Sequence, residues 1–132
     1  MRYQTSASTR RACALPIMMC LFASAGCQRT ARDLALDQAV ARNSLTAFLD
    51  CWQRGEPTTA LQSSTPAIIG RDPAWDAGRR LIRYTIGSET DDGTNLHVTT
   101  QLVFGSQRGE DPAEPVTYIV GTSPVITIFR NE

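Results

Sequence analysis

His97 is the only imidazole in the chain, and a single imidazole is enough for proton transfer when a carboxylate orients it. The carboxylates best suited to that role are Asp72 and Asp76, which flank Trp75 in a connector spanning residues 67–78. A dyad of His97 with Asp72 or Asp76 would serve a small acid-base enzyme of dehydratase or isomerase type. The pattern around His97 opposes this arrangement. Leu96, Val98, Thr100, Leu102 and Phe104 alternate with Asn95, His97, Thr99 and Gln101, so His97 belongs to the polar face of a strand. Turning it toward Asp72 or Asp76 requires a bulge that reverses the strand's register.

Other chemistry is poorly supplied. Zinc sites assemble three or four N/S ligands, and one His with one thiol left after export does not reach that number, so neither a metal nor a cofactor is expected. Glu89, Asp91 and Asp92 crowd one turn without the ordered spacing of a calcium loop, which leaves a solvated hairpin turn as their role. No Gly-rich phosphate loop, G-x-S-x-G elbow or H-E-x-x-H helix occurs. The Arg79-Arg80 pair is suited to an anion or to ion pairs with Asp72 or Asp76. Trp52 and Trp75 are expected as core anchors first and ligand platforms second.

Cys27 has a different prospect. Arg2, Arg10 and Arg11 precede an apolar run from Ala12 to Ala23, and Ser24-Ala25-Gly26 follow it. A helix of a dozen residues spans roughly 18 Å, short of the ~30 Å bilayer core, so the run reads as an export signal. The sequence LFASAGC resembles the bacterial lipoprotein signal, which makes residues 1–26 the signal and Cys27 the lipidated first residue, attached to the membrane through that lipid. The alternative is A-x-A cleavage after Ala25, releasing a soluble secreted protein. Cys13 and Cys20 leave with the signal in either case. A Cys27–Cys51 disulfide is disfavoured: a helix over 33–52 is about 30 Å long, whereas the residues between Cys27 and that helix reach back only ~18 Å.

The elements that position these groups follow from periodicity. Residues 27–32 form a polar tether, and residues 33–132 a single α+β domain. Leu45, Phe48, Leu49 and Trp52 repeat at i, i+3, i+4 and i+7, predicting a long helix over 33–52 that Gly55 and Pro57 end. A short helix is expected over 57–62. Beyond the connector the period falls to two: Ile82, Tyr84 and Ile86 form one strand and the His97 segment the next, joined by a hairpin through Ser88–Gly93. Residues 115–122 and 124–130 supply two further strands, rich in β-branched and aromatic residues. The expected architecture is a curved four-stranded antiparallel sheet with the long N-terminal helix packed across one face.

That order, with Phe48-Leu49-x-x-Trp52, Gly55 and a short helix before the strands, resembles the cystatin-like or nuclear-transport-factor-like superfamily. The segments GRDPAWDAGRRL and YIVGTSPVITIFR also resemble those of small exported proteins of planctomycete-type bacteria. The likeness covers roughly residues 33–132 and carries no activity-specific motif; it implies a roll in which enzymes, inhibitors and scaffolds all occur.

Charge narrows the partners. The 132 residues hold 13 Lys+Arg and 13 Asp+Glu, and 42% are hydrophobic, which argues against general disorder and leaves no electrostatic footprint for nucleic acid. Removing the first 26 residues takes away three Arg and no acid, leaving 10 basic against 13 acidic groups. The leading expectation is therefore a lipid-anchored, non-catalytic binding or interaction module of the cell envelope, with a protein or small-molecule ligand. The others are the His97 enzyme and a structural protein that forms homo-oligomers through a sheet edge or a sheet face carrying Ile119, Ile126 and Ile128.

Overall fold

The computed structural model describes residues 35–132. The signal, the Cys27 tether and the first residues of the expected helix lie outside the described residues. Helix α1 runs Gln38–Gln53, followed by the one-turn helix α2 (Thr59–Gln62), strand β1 (Ile68–Arg71) and the one-turn helix α3 (Pro73–Asp76). Strands β2 (Arg80–Asp91), β3 (Asn95–Ser106), β4 (Gly109–Glu110), β5 (Glu114–Gly121) and β6 (Ile126–Asn131) complete an α+β fold.

Helix α1 starts later than residue 33 because Asp37 is extended and caps it, its side chain accepting from the Val40 amide at 3.0 Å. The Asp37 amide is itself tied to Thr122 Oγ1 at 3.1 Å. At the other end Gly55 takes a positive φ of 72°, the left-handed stop expected of it. Ala41, Leu45, Phe48, Leu49 and Trp52 form the buried stripe, and they share one core with Leu81, Leu96, Val98, Tyr118, Val120 and Ile128 of the sheet. Polar contacts run down the same helix along β2. Gln38 reaches Asp91 at 2.6 Å, Arg42 pairs with Glu89, Asp50 accepts from the Tyr84 hydroxyl at 2.6 Å, and Gln53 donates to the Ile82 carbonyl at 2.7 Å. Helix and strand are thus antiparallel and in contact along their length.

The sheet has six strands where four were expected. Its order is β1-β6-β5-β3-β2, with β4 paired to β3 beside β5. Only β1 and β6 are parallel; the other pairs are antiparallel. β1 escapes a period-two reading because its four residues include Gly70 and Arg71, and β4 is two residues inside a loop. β2 extends five residues beyond Ile86 to Asp91, with register shifts between Leu81 and Arg83 and between Ile86 and Glu89. The shift between Ile86 and Glu89 puts even-numbered Tyr84 and odd-numbered Glu89 and Asp91 on the face that meets α1.

No helix among the described residues is long and apolar enough to cross a membrane.

Candidate functional site

β3 keeps an unbroken register with β5 from Asn95 to Leu102, with His97 opposite Ile119 and Val98 opposite Tyr118. Directly opposed residues share a face, so His97 and Tyr118 project from opposite sides of the sheet. The imidazole Nε2 lies 2.8 Å from Asp92 Oδ2, in the hairpin turn. Asp72 and Asp76 have other partners. Asp72 is fully buried and caps α3, accepting from the Ala74 and Trp75 amides at 2.7 and 3.4 Å and from the Tyr118 hydroxyl at 2.7 Å. Asp76 pairs with Arg71 at 2.7 Å. No hydrogen bond joins His97 to either carboxylate, and the sheet separates it from Asp72 because the bulges fall in β2 rather than in β3.

Asp92 organises its turn. Its Oδ1 accepts from the Thr94 and Asn95 amides at 2.9 and 2.7 Å. The Asn95 amide, then His97 and the Thr94 amide, hold this carboxyl well below its ordinary 3.8. A carboxylate depressed in the folded state stabilises it above the unfolded value, and that contribution is lost as pH falls through the folded value. In a pH titration followed by NMR, the Asp92 carboxyl resonance is therefore expected to move only well below pH 3.8. A midpoint at or above that value would show that the turn does not hold the anion.

A polar chain crosses the inner side of the sheet from Asp72. Arg130 lies 3.7 Å from Asp72 and binds Glu114, which also accepts from Arg79 at 3.1 Å. Arg79 reaches Asp111 at 3.7 Å and rests its guanidinium 3.7 Å from the Phe104 ring centroid. Arg130, and to a smaller extent Arg79, holds the Glu114 carboxyl below its usual range. The expected pairing of Arg79 or Arg80 with Asp72 or Asp76 is replaced by this chain. Arg130 takes Asp72, Arg71 takes Asp76, and Arg80 stays exposed.

The two tryptophans meet beside it. Trp52 and Trp75 stack with centroids 5.2 Å apart and planes 2° from parallel. Each sits three residues before a glycine that ends its helix, in Trp52-Gln53-Arg54-Gly55 and Trp75-Asp76-Ala77-Gly78. The two ends close in the same way. Gly55 donates to the Trp52 carbonyl and Glu56 to that of Cys51; Gly78 donates to the Trp75 carbonyl and Arg79 to that of Ala74. The longer bond of each pair is the 6→1 contact of a Schellman closure. Gly55 and Gly78 have φ of +72° and +79°, and a Cβ on either would meet nothing within 4 Å. Beside the two helix ends lies a cleft of about 360 Å³ lined by Trp52, Trp75, Pro57, Glu56, Arg79 and Arg80 together with the two glycines.

The cleft's frame is fixed from behind. Trp52 Nε1 donates to the Arg79 carbonyl at 2.8 Å, and the Phe48 ring meets Trp75 at 5.1 Å with planes at 65°. The repeated W-x-x-G was the sequence signal that could have paired the indoles. Nothing comparable linked Asp72 to Tyr118, Arg130 and Glu114, which come from two strands far along the chain.

Cys51, beneath the cleft, is a buried free thiol as expected and lies 3.4 Å from Glu56 Oε2. Burial, reinforced by Glu56, pushes its pKa up to about 11. With the other three cysteines replaced by serine, thiol-disulfide exchange at pH 8 is expected to be about a hundredfold slower in the native than in the unfolded protein, because the thiolate is scarce and covered. Equal rates would refute this protection.

A second groove, apolar and about 440 Å³, lies between α1 and the β6 end of the sheet, lined by Val40, Pro66, Ala67, Pro124, Val125 and Ile126 with Thr122. Among the described residues no three His, Cys, Asp or Glu side chains gather to hold a metal ion. Comparisons with protein-family models, curated proteins and solved structures return no match to this chain.

Proposed function

We propose that this chain is a non-catalytic binding module of the bacterial cell envelope, anchored by a lipid on Cys27, and that its ligand site is the cleft built on Trp52 and Trp75. One observation carries the reading: two separate helix ends with the same closure carry indoles stacked in parallel, and an open cleft lined by both indoles and both closing glycines lies beside them. Its volume, about 360 Å³, falls within the ~300–1,000 Å³ common for small-molecule sites. His97, the chain's one imidazole, is engaged with Asp92 instead of facing this space.

The fold type inferred is the cystatin-like or nuclear-transport-factor-like roll. The helix-first order, the contact of α1 with β2 along its length and the bulges of β2 support it. The basic segment, apolar run and small residues before Cys27 support the anchor.

Mapping a panel of small molecules onto the protein's amide and indole NMR signals tests the site. Saturable shifts grouped at Gly55, Gly78 and the two indoles are expected; shifts confined to the outer sheet face would overturn it. Intact mass of the exported protein tests the anchor, with a first residue of acylated Cys27 expected and Gly26 contradicting it.

Self-association through the outer sheet face is the second reading. Ile69 and Phe129 are 47% and 46% exposed there, and Ile119 lies opposite Phe129. Ile126 and Ile128 do not contribute, because both point into the core. This reading expects a dimer in light scattering that Phe129→Asp converts to a monomer; a monomeric wild type would exclude it.

A further inference from the structure

From the walls of the two-tryptophan cleft we infer the chemical class of its ligand, a small, flat, uncharged ring. The inference rests on the binding reading above and adds a selectivity to it. Trp75 is a fixed plate: Trp52 lies parallel to it, Phe48 meets it edge-on, and it remains only partly buried. A flat aromatic surface held in place favours another flat ring, which gains stacking energy beyond the area it buries.

The charge inventory favours a neutral ligand, because most of the charges around the cleft are already paired. Arg79 is matched by Glu114 and Asp111, and Glu56 by a two-bond contact with Arg54 and a thiol contact with Cys51. A charged ligand would have to compete with these pairs in a partly dry site. Arg80 is the remaining charge at the rim; it is exposed, and its stem lies by Gly105 of β3.

The test compares 2-naphthol with decahydro-2-naphthol, which has the same carbon framework and hydroxyl but no flat ring. Titrations follow the indole N–H signals of the exported protein. Saturable movement of the Trp75 signal by 2-naphthol is expected, with at least tenfold weaker binding of the saturated analogue. Trp75→Phe keeps a plate and should hold affinity within about threefold, whereas Trp75→Leu should lose about tenfold while its amide spectrum stays folded. Equal binding of the two alcohols at the cleft would overturn the ring selectivity and leave the binding reading intact. Absence of any response at the cleft from either alcohol or from the wider panel would remove both. Should Trp75→Leu fail to fold, the comparison of the two alcohols on the wild-type protein still decides.

Discussion

Asp72→Ala is expected to destabilise the domain by about 3–5 kcal/mol, a drop of roughly 15–30 °C in Tm for a domain of this size. The carboxylate is fully buried and has three donors on it, two of them the first amides of α3 and the third the Tyr118 hydroxyl. Loss of the helix cap alone costs about 1 kcal/mol. A buried hydroxyl stranded without its acceptor adds about 1–3 kcal/mol. Arg130 meanwhile keeps Glu114 but loses the carboxylate 3.7 Å away. Burial first, and then the Asp72 charge and hydrogen bond, raise the Tyr118 phenol above its ordinary range, so it stays a donor through neutral pH.

Three further variants separate these contributions. Asp72→Asn can still cap α3 through its one amide oxygen, and its NH2 can donate to the Tyr118 hydroxyl oxygen with that hydroxyl turned, so its cost should be about 1–2 kcal/mol, mainly from the lost charge opposite Arg130. Asp72→Ala in a Tyr118→Phe background should cost at least 1 kcal/mol less than in the wild type, because no hydroxyl is then left stranded. Urea unfolding monitored by fluorescence measures all five proteins, the wild type and Tyr118→Phe included. A change under 1 kcal/mol for Asp72→Ala would mean that the residue does not hold the fold together. It would also reopen the case for a chemical role.

The same residue shows where sequence reading stops. Asp72 before Pro73 carried a local cap signal, but its partners lie 46 residues away in Tyr118 and farther still in Arg130. Alternation in β5 was enough to send Val116, Tyr118 and Val120 inward; which polar group waits there depends on how the connector crosses the sheet. The helix stripe of Leu45, Phe48, Leu49 and Trp52 was legible because burial follows the 3.6-residue period over several turns. His97 was legible for the matching reason in β3, where period two holds without interruption from Asn95 to Leu102. Its partner was not, since Asp92 was counted only as part of a solvated turn. β1 was lost because its pairing with β6 is parallel and joins residues far apart in the chain, so no turn announces it. Half of the candidate site was therefore readable: both tryptophans were picked out, but their pairing depends on the way two helix ends close.

β1 was also obscured by Gly70, and that glycine is where the other large effect lies. The Phe48 ring is fully buried and rests where a side chain on Gly70 would be: a Cβ there would meet Phe48 Cδ2 at 2.6 Å. Backbone strain is not involved, because Gly70 is not among the residues with positive φ. Gly70→Ala must therefore displace a ring that also packs edge-on against Trp75 and Tyr118, at about 3 kcal/mol by the usual range for overpacking. Phe48→Ala removes the ring and leaves a cavity, at about 3–5 kcal/mol. The two costs should not add. With the ring gone, the Gly70→Ala methyl projects into the space that Phe48 vacated, where it clashes with nothing and fills part of the cavity. The second substitution is then expected to be neutral or slightly stabilising, giving a coupling of about 3 kcal/mol between positions 48 and 70. Thermal unfolding of the four proteins in the cycle measures it. Additive losses would mean that the ring does not rest on Gly70, and β1 would need some other reason to carry a glycine in the middle of a strand.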